Sequence, residues 1–180
     1  VLRGFVRDVL FHPVPIAVAL IVGGLVLIWI ERRRPAAPAA QPVSDTAAEA
    51  EARAITLRQA LLIGVAQTLA LIPGVSRSAA SIVGGMSVGL SRLAATRFSF
   101  YLALPTLGGA TVADLVLSLD ELNGDDLLLL LVGMVTAAIV AWLSIRWLLR
   151  FVAGHTFIGF GYYRIAVGVV ILIFAALQVF

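Results

Sequence analysis

The 180-residue sequence contains no cysteine and no lysine, and only two histidines, His12 and His155. Without cysteine there can be no disulfide, no thiol nucleophile and no thiolate metal site, and the redox compartment stays open. Neither histidine has an acidic or histidine cluster near it in sequence, so neither marks a local metal site. All thirteen basic residues are arginines, scattered between apolar runs and not massed along one face, which argues against nucleic acid as a partner. Charge itself is scarce. Charged residues make up 13% of the chain, about half the usual share of a soluble domain. The chain opens on Val1-Leu2-Arg3 with neither a start methionine nor a signal-peptide pattern, and it reads as a fragment of a longer protein more readily than as a mature N-terminus.

Apolar residues are abundant, at 61%, and the mean hydropathy is +1.06. Apolar content this high, gathered into long runs, means that the solvent is lipid. A spanning helix needs about 20 mostly apolar residues. Four stretches meet that length: 13–30, 98–119, 127–149 and 157–180. The polar connector 31–56 separates the first two. Its Pro35 to Gln41 part has linker composition, and Asp45 to Arg58 can form a surface helix. The predicted fold is therefore all-α and polytopic.

The stretch 57–90 is apolar enough to enter a membrane, yet Pro73-Gly74 breaks it in the middle. Each half has about 15 residues and would reach roughly 22 Å, short of a hydrocarbon core about 30 Å thick. One long kinked span and a re-entrant hairpin are both compatible with this. Charge separates them. A re-entrant hairpin puts Arg32, Arg33, Arg34, Arg53, Arg58, Arg92, Arg97, Arg146 and Arg150 on one side and Arg3 and Arg7 on the other, beside the acidic turn Asp120, Glu121, Asp125 and Asp126. The positive-inside tendency then makes the connector cytoplasmic and the C-terminus extracytoplasmic. Non-helical backbone at membrane depth persists only where it packs in protein or lines a wet cavity, so the hairpin tip is a candidate site. Gly64, Ala66, Ala70, Ala79, Ala80, Gly84, Gly85 and Gly89 allow the arms to approach closely, and Gly85-x-x-x-Gly89 reads as packing.

The tip reads Pro73-Gly74-Val75-Ser76-Arg77-Ser78-Ala79-Ala80-Ser81. Gly74 permits a tight turn, and the second half-helix begins directly after it. A helix N-terminus offers free N–H groups and the positive end of the dipole to an anion. Ser76 and Ser78 add hydroxyls, Ser81 stands one turn on, and Arg77 supplies a planar fork suited to phosphate. An arginine at membrane depth costs about 2.5–3.5 kcal/mol on insertion scales, which a bound phosphate would offset. The plainer alternative is an Arg77 paired with Asp114 or with a backbone carbonyl, and a Ser76 that only caps the helix.

This segment resembles the P-G-x-S-R-S-x-x-T motif of the undecaprenyl-pyrophosphate phosphatase family of bacitracin-resistance type. Gly84-Gly85-Met86, Ser91-Arg92, Phe98-Ser99-Phe100 with Pro105, Gly109-Ala110-Thr111 and Tyr163-Arg164 follow in the family's order. Ser81 departs from the family's threonine but keeps a hydroxyl. The resemblance implies hydrolysis of a polyprenyl pyrophosphate to the monophosphate, which recycles the lipid carrier for cell-wall synthesis, in the bacterial plasma membrane. It implies catalytic roles for Arg77 and Ser76 and phosphate binding by Gly74, Ser76, Arg77, Ser78 and Ser81. It also implies a divalent cation of the magnesium or calcium type. The family is similar to an inverted repeat of two re-entrant hairpins, the first bearing an E-x-x-x-E segment, a serine and a histidine. Nothing here matches that first hairpin: Gln67 stands where one carboxylate would be and Leu71 where the other would be. The chain thus resembles the second half of the repeat together with one preceding span. It is expected to lack most metal ligands and to be inactive alone. A homodimer is compatible with the pattern. The rival reading is a secondary transporter or lipid flippase, since broken half-helices aimed at an anion also build transporter sites.

Other residues carry structural expectations. Asp114 reads as a helix-terminal or interfacial carboxylate. Arg164 reads as a structural partner or as a side chain reaching to the inner face. Trp29, Trp142 and Trp147 suit interfacial or lipid-facing positions.

Overall fold

A computed structural model describes residues 12–33, 44–118 and 124–177, with the backbone alone for 124–127. The expectations for Arg3, Arg7, Arg34, the Pro35 to Gln41 linker and the acidic side chains 120–126 lie outside the described residues. Among the described residues seven α-helices follow in order: α1 Pro13–Arg33, α2 Asp45–Arg53, α3 Leu57–Thr68, α4 Arg77–Ser87, α5 Arg92–Leu117, α6 Gly124–Gly154 and α7 Ile158–Ala176. No strand occurs among the described residues. Among the described residues four segments are long and apolar enough to cross a membrane: α1, α5, Leu128–Gly154 of α6, and α7.

The span expected to begin at residue 98 begins earlier, with α5 starting at Arg92. Two early arginines would disfavour a helix N-terminus through the macrodipole. Here acids from distant segments neutralise them. Arg92 makes a two-pronged pair with Glu31, at 2.6 and 2.7 Å. Arg97 pairs with Asp45 at 2.8 Å and with Glu49 at 2.7 Å. Ser91 caps the helix by accepting from the Ala94 N–H, while the Glu51 carboxylate accepts from the N–H and hydroxyl of Ser91.

Helix α1 also runs past its expected end at Ile30, and Glu31 is buried with 6% of its surface exposed. One Glu31 oxygen accepts from the Phe157 N–H as well, so this carboxylate ties α1, α5 and the start of α7 together. α1 crosses α7 tightly: a Cβ at Gly24 would lie 2.7 Å from the Gly161 carbonyl oxygen, and one at Gly168 would lie 2.8 Å from that of Ala17. The missing side chains let the two backbones meet.

Helices α3 and α4 are the arms of the broken hairpin. Thr56 and Gln59 form a capping box at the start of α3. The Gln59 side chain also donates to the Val88 carbonyl at 3.2 Å, joining the open ends of the two arms. Midway, a Cβ at Gly84 would sit 2.7 Å from the Ala66 methyl, so that pair sets the spacing of the arms. Both arms open at the end of the bundle that holds Glu31, Arg92 and α2, and α2 lies at 94° to the segment Leu57–Leu71. Gly85 and Gly89 divide their labour. Gly85 packs against Ala95, whereas Gly89, at φ +102°, ends α4 and has nothing within 4 Å of its would-be Cβ. The Leu90 N–H returns to the Gly85 carbonyl and the Gly89 N–H to that of Met86, a Schellman arrangement with Leu90 buried behind it. The Gly85-x-x-x-Gly89 spacing thus serves one packing contact and one helix stop.

Candidate functional site

The tip of the hairpin is shaped by backbone that few residues tolerate. Leu69–Leu71 tightens into a 3₁₀ turn. Gly74 follows at φ +94°, where a Cβ would lie 2.6 Å from the Ile16 carbonyl oxygen and 3.0 Å from the Ala19 methyl. No other residue fits that seam against α1. Ser76 also has a positive φ, +60° with ψ 118°, the only non-glycine residue to do so among the described residues. Such backbone costs about 1–3 kcal/mol and persists where the surroundings over-determine it.

The strain turns the chain abruptly into α4. Ser76 becomes its N-cap, with Oγ accepting from the Ala79 N–H at 3.4 Å and the main-chain carbonyl accepting from the Ala80 N–H at 3.0 Å. The N–H groups of Arg77 and Ser78 then have no protein acceptor among the described residues. The hydroxyls of Ser76 and Ser78 lie 3.3 Å apart beside them. Two free amides and two hydroxyls at the positive end of a helix dipole form an anion socket.

Arg77 is half-buried, and its partner is neither Asp114 nor a backbone carbonyl. Its Nη1 donates to Thr106 Oγ1 at 3.1 Å, and that hydroxyl donates onward to the Leu102 carbonyl at 2.7 Å. One of five guanidinium N–H groups is thereby fixed, and the rest of the fork is available to a ligand. Asp114 is exposed in the last turns of α5 and joins no ion pair among the described residues.

Ser81 sits differently from Ser76 and Ser78. It is 1% exposed, and its hydroxyl bonds the Arg77 and Ser78 carbonyls at 3.0 and 3.1 Å and Ser99 Oγ at 2.7 Å. In this arrangement Ser81 braces the first turn of α4 against α5 and has no free face toward the socket.

Arg164 is the residue that local sequence could not connect. It is 3% exposed on α7, and its Nη2 donates to the Gly74 carbonyl at 2.8 Å. Of the two expectations for it, the structural partner is the observed one. Gly23 makes room for the guanidinium, since a Cβ there would fall 2.6 Å from Nη2. Gln67 is partly buried on α3, and Leu71 is 80% exposed at the turn. Among the described residues no three of His, Asp or Glu cluster in a manner that could hold a metal ion. The donors at the turn are hydroxyls, amides and a cationic guanidinium, a set that suits an anion and not a divalent cation.

An apolar cleft of about 850 Å³ runs from the turn between α1 and the hairpin arms, lined by residues such as Val18, Val22, Leu62, Val75 and Val83. The turn itself lies deep. Gly74 packs against Ile16 and Ala19, about 15 residues or 22 Å from Arg33 along α1.

The family model described as "Bacitracin resistance protein BacA" matches residues 1–170. The chain is similar to the "Undecaprenyl-diphosphatase" of Albidiferax ferrireducens, 51% identical over 163 residues that cover 91% of this chain and 57% of that relative. It is similar to the protein of the same name in Bordetella avium, at 48% over 171 residues, covering 92% and 60%. It also resembles the "Undecaprenyl-diphosphatase 1" of Chromobacterium violaceum, at 46% over 167 residues, covering 93% and 58%. The chain therefore spans under two thirds of the length of these relatives.

Proposed function

The chain belongs to the bacitracin resistance protein BacA family, and from that premise we propose that it carries the phosphate-gripping half of an undecaprenyl-diphosphate phosphatase. The reaction is undecaprenyl pyrophosphate plus water giving the monophosphate and inorganic phosphate. The observation that carries this reading is the strained Gly74–Ser78 turn, with two free amides, two hydroxyls and the Arg77 fork at one place.

Phosphoryl transfer asks little covalent chemistry of the protein and much positioning and charge stabilisation. Arg77, steadied by Thr106, would donate to the oxygens of the transferred phosphoryl group, and the Ser76 and Ser78 hydroxyls with the α4 amides would bind the neighbouring oxygens. Ser81 acts at one remove, by holding the α4 turn against Ser99. The apolar cleft beside the turn suits the prenyl chain. The divalent cation that the resemblance implies would need carboxylates that the turn does not have, so no step is assigned to it. The acidic E-x-x-x-E hairpin would supply them, and the 180 residues alone are expected to be inactive.

In the bacterial plasma membrane that the family resemblance implies, the arginine distribution supports a cytoplasmic connector and an extracytoplasmic C-terminus. The depth of Gly74 then puts the phosphate socket toward the extracytoplasmic side.

The test is phosphate release from undecaprenyl pyrophosphate by the full-length protein and its Arg77→Ala variant. Loss of a preorganised donor is expected to lower turnover by about 10²–10³-fold. Full hydrolysis by the variant would overturn the role of Arg77. Absence of hydrolysis by the unmodified protein, with substrate-dependent lipid movement in vesicles, would favour a transporter.

A further inference from the structure

Near its C-terminal end, α6 carries Trp142, Arg146 and Arg150 at intervals of four residues. Such spacing puts the three side chains on one stripe about 12 Å long. Together with Arg97 of α5, Asp45 of α2 and the apolar Ile145 and Leu149, they line a cleft of about 400 Å³. The cleft is well removed from the Gly74 turn. Arg97 lies nine positions before Thr106 on α5, about 14 Å along the helix, and the cleft opens at the same end of the bundle as Glu31 and Arg92.

Its charges are unevenly met. Arg97 is paired with Asp45 and Glu49, yet its Nε is buried with no partner. Arg146 stacks over the Trp142 ring at 5.4 Å. Among the described residues neither Arg146 nor Arg150 has a carboxylate within pairing distance. Three guanidiniums therefore line a cleft whose one acid is already engaged by one of them.

Depth decides what these charges meet. The apolar run of α6 from Leu127 to Ile145 covers about 27 Å, close to the thickness of a hydrocarbon core of about 30 Å. Arg146 thus stands at the boundary where lipid phosphates lie, and Arg150 stands one turn further out. Trp142, 60% exposed, is one turn deeper, at the level of the first acyl carbons. A free phosphate would use the arginines and leave the apolar floor and the exposed indole unused. A soluble acidic partner would not reach Trp142. A molecule with an anionic head and an apolar tail uses both.

We propose that this cleft binds an anionic phospholipid of the surrounding leaflet, with Arg146 and Arg150 on the head-group phosphate and the acyl chain along Trp142 and Ile145. Basic pockets between spans on the positive side of a membrane protein take phosphate-bearing head groups in this way. The site adds to the hold on the end of α6, where Val152 already packs against Ala48 and Leu93, while the helix from Leu128 to Ser144 is exposed to its surroundings.

The test uses the protein reconstituted in phosphatidylcholine vesicles. Trp142 fluorescence, taken as the difference between the protein and its Trp142→Phe variant, is titrated with brominated phosphatidylglycerol and separately with brominated phosphatidylcholine. At equal mole fraction the anionic lipid should quench Trp142 more strongly, reflecting a local enrichment of about fivefold for each arginine engaged. The Arg146→Gln/Arg150→Gln pair should abolish the preference, and the Arg146→Lys/Arg150→Lys pair should retain most of it. Equal quenching by the two lipids in the unmodified protein overturns the proposal, whatever the fate of the glutamine variant. A preference that survives the glutamine pair overturns it too. So does a Trp142 response to inorganic phosphate in pure phosphatidylcholine at constant ionic strength, lost with the same two arginines, which would mark a site for the free anion.

Discussion

Arg164 reaches from the last helix to the Gly74 carbonyl, ninety positions away in sequence, and bonds it at 2.8 Å. The contact ties the turn to α7, and Ile16 and Ala19 of α1 pack against the same glycine. The Gly74 carbonyl faces the interior of the bundle, where an unbonded acceptor costs about 1–3 kcal/mol.

Replacing Arg164 by Met should leave that carbonyl without its donor and let the turn relax. On the proposed function, turnover of undecaprenyl pyrophosphate by the full-length protein should fall by at least about tenfold, since a misplacement of about 1 Å can cost more than that. Assembly should be less affected, because the helix contacts around Gly24, Gly161 and Gly168 remain. Phosphate release and thermal unfolding in detergent separate the two effects. A variant with normal turnover would show that the turn holds its shape without Arg164.

The strain at Ser76 can be separated from its hydroxyl. Ser76→Gly removes both, whereas Ser76→Ala removes only the hydroxyl and keeps a Cβ at φ +60°. The glycine variant should be the more stable of the two by about 1 kcal/mol or more. Both should lose activity if the hydroxyl meets the substrate. Unfolding midpoints in detergent give the first comparison and phosphate release the second. Equal midpoints would mean that the backbone relaxes freely at this position.

The Glu31–Arg92 pair should behave as a unit. Arg92→Met leaves the Glu31 carboxylate buried without its guanidinium, and breaking a buried pair this way costs about 3–5 kcal/mol. Arg92 is about a quarter exposed, which favours the lower end. The double variant Glu31→Leu/Arg92→Met should be milder than Arg92→Met alone, because no charge is then stranded. Thermal unfolding of Glu31→Leu, Arg92→Met and the double variant in detergent measures the coupling, and additive losses would contradict it.

Helix α2 should loosen in acid. Tyr101 donates to Glu49, and Arg53 bonds it as well, so the Glu49 carboxyl is held below its usual value near 4.5. A carboxylate whose pKa is lower in the folded state stabilises the fold above its unfolded pKa. That contribution fades as pH drops through the folded value. Hydrogen exchange in Asp45–Arg53 should therefore be unchanged between pH 5 and 8 and rise at pH below about 4, once intrinsic exchange is corrected. Tyr101→Phe should move the onset toward neutral pH. A flat profile into acid would assign the docking of α2 to its apolar contacts, Ala48 and Ala52.

Much of this protein is local and was legible for that reason. A run of twenty apolar residues has to form a helix in lipid, since no water is there to satisfy its backbone. Pro-Gly has to break such a run, and a serine before a new helix has to cap it. The four long apolar helices, the interrupted hairpin and the polar cluster at its tip all follow from residues adjacent in the chain. What sequence left open depended on partners far apart in it. The early start of α5 at Arg92 needs Glu31, Asp45 and Glu49, and a local reading sees only two arginines at a helix N-terminus. Ser81 looks like Ser76 and Ser78 until Ser99 occupies its hydroxyl. Gly85 and Gly89 look like one motif until α5 meets the first and nothing meets the second. Arg164 and Thr106 carry no local mark of their roles, because those roles come from the Gly74 carbonyl and the Arg77 guanidinium placed beside them. Sequence alone determined which backbone must break and which groups it would expose. Only the packing of α1, α5 and α7 around that break decided which of them stay free for a ligand.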